Sequence, residues 1–213
     1  NDEVDLTYAA ILCMISASKL NKRGKDFVFE VIQNSDQTGI KSVEKYLDSL
    51  NVDLSEIKNK LNYPGRHDNY LYSIFDQLFY GPELYKKLFK KESSFTDDGL
   101  IENDLVLVKS EMLNLLKKKF DKKIAIVTGR GFESIRYSLK DLLDEFNVEN
   151  SVFLEDEPRE LAKPNPDSLL SCIRGIDSYH TLFVGDSMED YIMAKKATEL
   201  GRKTTFCGIY GTS

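Results

Sequence analysis

Histidine is nearly absent from this chain: His67 and His180 are the only two in 213 residues. A Ser-His-Asp triad therefore has little to draw on, and neither histidine is accompanied by a nucleophile elbow. Cysteine is scarce too. Cys13, Cys172 and Cys207 are odd in number and far apart, which fits neither a disulfide framework nor a zinc site and points to a reducing, cytoplasmic setting. Long apolar runs are missing. The longest, residues 8–15, is far too short to span a bilayer, and the acidic opening residues lack the basic start of a secretory leader, so no membrane partner is expected. Positive charge is not in excess: 29 Lys and Arg stand against 35 Asp and Glu, for a net charge of −6. The imbalance is spread evenly, with 13 basic and 16 acidic residues up to residue 101 and 16 and 19 after it. Neither part is a basic module, which argues against nucleic acid as the partner. There is no Walker A loop, and Gly129-Arg130-Gly131 lacks the third glycine of a dinucleotide fingerprint.

What is present changes character near residue 100. The first part reads as successive helices over 5–20, 43–50, 54–61, 69–79 and 82–91. Leu6, Ala9, Ala10, Cys13 and Met14 are at helical spacing, Ser42 and Asp53 are candidate N-caps, and Pro82 is suited to a first helical turn. The polar stretch 92–104 contains the boundary between a helical domain, 1–101, and a second domain, 102–213. In the second part, helices over 105–120, 134–146, 166–173 and 188–200 alternate with short apolar strands over 124–127, 152–154, 181–184 and 203–209. That alternation implies an α/β fold with a Rossmann-like, doubly wound parallel sheet.

Ligands of parallel α/β sheets bind at the carboxyl ends of the strands. Here Ile124-Ala125-Ile126-Val127 runs into Thr128-Gly129-Arg130-Gly131, and Leu182-Phe183-Val184 runs into Gly185-Asp186-Ser187-Met188-Glu189-Asp190. Between them comes Lys163-Pro164-Asn165-Pro166. A hydroxyl, an ammonium and a carboxylate pair at successive strand ends can hold a phosphoryl group: Thr128 and the Gly129 amide donate to its oxygens, Lys163 offsets its charge, and Asp186 is of the type that holds Mg²⁺. Taken singly, each piece is commonplace. Thr-Gly after a strand is ordinarily a turn, Lys-Pro a solvated loop, and Asp186, Ser187 or Asp190 a helix-start residue. The conjunction, in one order, is what separates this chain from that background. His67, in Arg66-His67-Asp68-Asn69, reads first as part of an exposed capping segment.

The series strand–Thr128-Gly129-Arg130, then Lys163-Pro164-Asn165-Pro166, then strand–Gly185-Asp186-Ser187-x-x-Asp190 resembles the haloacid dehalogenase (HAD) superfamily. Thr128 is similar to its second motif, Lys163 to its third, and Asp186 with Asp190 to its fourth. The resemblance covers 105–210 and implies that the preceding helices are an all-α, type 1 cap. It further implies Mg²⁺-dependent hydrolysis of a small phosphorylated metabolite through an aspartyl-phosphate. Thr128 and Gly129 would hold the phosphoryl oxygens, Lys163 would orient the nucleophile, and Asp186 would ligate the metal with Asp190 supporting it or Lys163. Arg130, Arg66, His67 and Tyr70 are candidate substrate contacts. Phosphotransfer, dehalogenation and non-catalytic binding of a phospholigand are the alternatives.

One departure matters. The family's first motif, an apolar strand ending in Asp-x-Asp, has no counterpart here. Glu3-Val4-Asp5 imitates the spacing but has no strand before it. The resemblance places that strand centrally, between those ending at Thr128 and Asp186. It implies a complementing N-terminal segment of the same protein as a partner, an unfinished core after residue 209, and little activity in the chain alone.

Overall fold

In a computed structural model, the structure describes residues 3–36, 38–63, 69–121 and 123–210. The chain divides into two compact units, Asn1–Glu102 and Asn103–Ser213.

The first unit is helical. α1 (Glu3–Lys19), α2 (Gly24–Gln33), α3 (Ile40–Ser49), α4 (Ser55–Leu61) and α5 (Tyr70–Phe89) are its main elements. α1 is the hub. Val4, Tyr8, Leu12, Cys13 and Ala17, which share one face of the helix, bury against Phe27 and Val31 of α2, Leu47 of α3, Leu61 of α4, and Leu71 and Tyr72 of α5. The face differs from the one expected. Leu6 and Met14 are both 67% exposed, because an uninterrupted apolar run satisfies several helical phases and neighbouring helices choose among them. The buried edge of α1 also carries polar groups with partners: Tyr63 donates to Asp5, and Tyr8 donates to Glu44 at 3.0 Å while stacking on Tyr63. α2 is an addition to the expected helices. Only Phe27 and Val31 on it are buried, while Val28, Phe29 and Ile32 are exposed. Ser42 is not an N-cap; it lies inside α3, where its hydroxyl accepts from the Asp36 amide. Asp53 precedes α4 by a residue more than expected and accepts from Ser55.

α5 joins the two helices expected over 69–79 and 82–91 across a kink. Gly81 sits at φ +67, ψ 171, and Pro82 follows it. Asn69 caps the helix through the Leu71 amide. At the kink, the chain near Gly99 lies directly on the helix backbone: a Cβ on Gly81 would come within 2.5 Å of the Gly99 nitrogen. Gln77 fastens the same loop, accepting from the Ser94 amide at 2.6 Å while donating to the Ser73 carbonyl at 3.0 Å.

The second unit has α6 (Ser110–Phe120), β1 (Val127–Thr128), α7 (Phe132–Leu139), β2 (Val152–Phe153), α8 (Asp167–Gly175), β3 (His180–Gly185), α9 (Met188–Glu199) and β4 (Lys203–Gly208). α6 begins five residues later than the pattern suggested. The chain at Lys109 is extended, and Val106 and Val108 are poor helix formers. α7 ends early because Lys140 takes a left-handed φ of 51, and a 3-10 turn continues to Glu145.

Each crossover is parallel and passes through a helix, β1–α7–β2 and β3–α9–β4. The expected single sheet is instead two: β1 pairs with β2, β3 pairs with β4, and no described strand joins β1 to β3. One core nevertheless serves both. Leu169, Leu170 and Ile173 of α8 and Met193, Ala194 and Ala197 of α9 pack around Phe183 of β3, with Val127 of β1 and Phe206 of β4 against them. On β3, Leu182 and Val184 point away from this core and stay 58% and 48% exposed. No described helix is long and apolar enough to cross a membrane.

Gly81→Ala forces a Cβ into backbone at a left-handed φ, so it is expected to lower the unfolding free energy of the helical unit by about 2–3 kcal/mol. Gly24→Ala, where a Cβ meets nothing within 4 Å, should be neutral or stabilising by up to about 1 kcal/mol. Urea unfolding followed by circular dichroism measures both.

Candidate functional site

Lys163 and Asp190 form a close and largely buried charged contact in the second unit. The Lys163 Nζ lies 2.6 Å from Asp190 Oδ1, and the two side chains are 19% and 3% exposed. The sequence around them accounts for the geometry. Ser187 is the N-cap of α9, accepting from the Asp190 amide at 3.1 Å, and Asp190 Oδ2 accepts in return from the Ser187 amide at 3.3 Å and hydroxyl at 2.8 Å. This reciprocal capping satisfies two helix-start donors. Gly185 makes room for it: a Cβ there would lie 2.5 Å from Asp190 Oδ2. Burial by itself would raise the Asp190 carboxyl, but the hydrogen bond and charge of Lys163, with the Ser187 donors, outweigh it and hold the group below the usual carboxylate range.

Asp186 follows β3 directly. With Gly185, Ser187, Met188, Tyr191, Phe206 and Gly208 it lines an open depression of about 390 Å³ at the carboxyl end of β3 and β4. Thr128 ends β1, where its hydroxyl accepts from the Arg130 amide at 3.3 Å. A Cβ on Gly129 would meet nothing within 4 Å, so the turn is open on that side.

Arg130, expected as a substrate contact, makes internal bonds. Its guanidinium donates to Asp104 Oδ2 at 2.6 Å, to Ser134 Oγ at 2.7 Å and to Ser138 Oγ at 2.9 Å, and Ser138 donates to the same Asp104 oxygen at 2.6 Å. The side chain ties the start of the second unit to α7. Tyr70 opens α5 and is 61% exposed; Arg66 and His67 lie outside the described residues.

The structure thus brings Lys163 to Asp190, sets Asp186 four residues before Asp190 at the same strand end, and seats Thr128 and Gly129 on the other sheet of the shared core. It also adds Glu155 and Asp156, which accept from the Gly131 amide at 2.9 Å and the Phe132 amide at 2.7 Å. An acidic pair directly after a strand was the available signal for them. The donor set falls short of a Mg²⁺ site: Asp190 faces Lys163 and Ser187, and the described residues contain no group of three or more potential metal ligands. A six-coordinate hard cation needs more oxygens than Asp186 offers.

Lys163→Met leaves Asp190 buried without its cation and should cost about 2–4 kcal/mol at pH 7. Because the Asp190 pKa is depressed in the fold, the unfolded chain binds the proton first as pH falls. The stabilisation is complete above the unfolded carboxyl value of about 4 and is lost through the lower folded value. The gap between wild type and Lys163→Met should therefore narrow as pH drops through that window, measured by urea unfolding.

Comparison with known proteins adds independent support. A family model described as haloacid dehalogenase-like hydrolase matches residues 87–198. An imidazoleglycerol-phosphate dehydratase from Phytophthora nicotianae is 32% identical over 103 residues, 46% of this chain and 22% of that protein. An X-ray structure determined as a structural genomics target superposes with a TM-score of 0.50 at 20% identity, covering 81% of this chain and 52% of that one. The chain thus spans about a fifth of the first protein and about half of the second. The family match extends over more than half of the residues, and the chain belongs to the haloacid dehalogenase-like hydrolases.

Proposed function

We propose that the second unit is the core of a phosphate monoester hydrolase acting on a small phosphorylated metabolite, with the helical unit as its substrate-selecting cap. The observation that carries this reading is the Lys163–Asp190 pair. A largely buried ammonium is held in place at a loop beside the strand end that carries Asp186, and such a fixed cation is suited to developing negative charge. Thr128 and Gly129, on the open side of their turn, donate to phosphoryl oxygens. Lys163 orients the attacking carboxylate and offsets charge, and Asp190 fixes Lys163. The phosphate ester in the dehydratase's name agrees with this substrate class, although only 22% of that protein aligns.

The attacking aspartate is not among the described residues. In this reading it arrives on a strand that pairs with β1 on one side and β3 on the other, supplied by a further segment of the same protein. The separation of two parallel sheets over one core supports that placement. Asp186 is the described carboxylate that would hold Mg²⁺, together with oxygens beyond the described residues, and the ion would offset phosphoryl charge. A second reading, a phosphate-binding module without turnover, is favoured by the lack of a described nucleophile at the site. The two separate on the protein as encoded, assayed with 4-nitrophenyl phosphate with and without Mg²⁺. Hydrolysis is expected, and Thr128→Ala should lower kcat by about 10²-fold. Phosphate binding without turnover selects the second reading.

A further inference from the structure

We infer that Glu155 and Asp156 are positioning residues for the Thr128–Phe132 turn, a role that rests on the phosphate-site reading above. The parallel register aligns Val127 with Val152 and Thr128 with Phe153, so the residues just past β2 come level with the turn just past β1. There the Gly131 amide donates to Glu155 Oε2 at 2.9 Å and the Phe132 amide to Asp156 Oδ2 at 2.7 Å. The approach is close: a Cβ on Gly131 would stand 3.0 Å from Glu155 Oε2 and 3.1 Å from Asp156 Oδ1. Phe132 and Phe153 meet edge to face beside it, ring centroids 5.3 Å apart.

Three consequences follow for an incoming anion. First, the opening amides of α7, ordinarily an attractive place for a phosphate, already hold two internal carboxylates. Second, the charge of those carboxylates opposes any anion at that helix end. Third, the turn is held from both sides: Glu155 and Asp156 pull on Gly131 and Phe132, while Arg130 is anchored to Asp104. What remains open is the Gly129 side. The acidic pair therefore directs a phosphoryl group to Thr128 and Gly129 and presents the turn preformed.

The test uses the protein as encoded, inorganic phosphate as the probe in magnesium-containing buffer, and amide exchange at Gly129 and Gly131 by NMR. Glu155→Ala with Asp156→Ala should weaken phosphate binding about tenfold or more and speed exchange at both amides by a similar factor. Glu155→Gln with Asp156→Asn keeps acceptors in place and should restore most of both. Asn147→Ala, which removes a cap elsewhere in the unit, should change neither, which distinguishes positioning from loss of stability. If wild type binds phosphate and the double alanine variant binds equally well, the inference is overturned and the phosphate site stands. If wild type binds no phosphate, the function reading falls; unchanged exchange at Gly129 in the double alanine variant then overturns the positioning as well, and faster exchange upholds it.

Discussion

The contact between Lys163 and Asp190 fastens the loop entering α8 to the first turn of α9, just past the end of β3. A carboxylate that is 3% exposed has lost its water, and it is tolerable only because the Lys163 ammonium and two Ser187 donors, amide and hydroxyl, replace that water. The requirement spreads outward. Gly185 must lack a side chain, Ser187 must be a cap, and the loop carrying Lys163 must reach the end of β3. The motif Gly185-Asp186-Ser187-x-x-Asp190 is thus mostly architecture, while its Gly185, Asp186 and Ser187 also line the depression beside the strand end.

That distinction explains what could be read in advance. The alternation of strands and helices after residue 100 depends on local pattern, and β2, β3, β4, α8 and α9 fall within one or two residues of where the pattern puts them. The capping box is also local. Arg130 is the contrary example. Its chief partner, Asp104, stands 26 residues earlier, and nothing periodic links the two, so local pattern could not announce the tie. The face of α1 was illegible for another reason: continuous apolar sequence suits several phases, and only the packing of α2, α3 and α5 selects Tyr8 and Leu12 over Leu6 and Met14.

The break between β1 and β3 belongs to a third class, since strand partners are set by the fold and no strand announces its neighbour. Each sheet on its own is a two-stranded parallel ribbon, which is a weak object; parallel pairs ordinarily lie within larger sheets covered on both faces. β3 meets half of that condition. Phe183 is buried in the shared core, while Leu182 and Val184 remain half-exposed on the opposite face. Apolar side chains on an open sheet face beside an unpaired strand edge are a liability that proteins generally cover.

The charges of these loops are largely answered within the chain, Arg130 by Asp104 among them. Asp190 neutralises the Lys163 ammonium, and Glu155 with Asp156 occupies the positive end of α7. Asp190 likewise occupies the first turn of α9. Both helices that could have drawn in an anion by their dipoles are answered from within the chain.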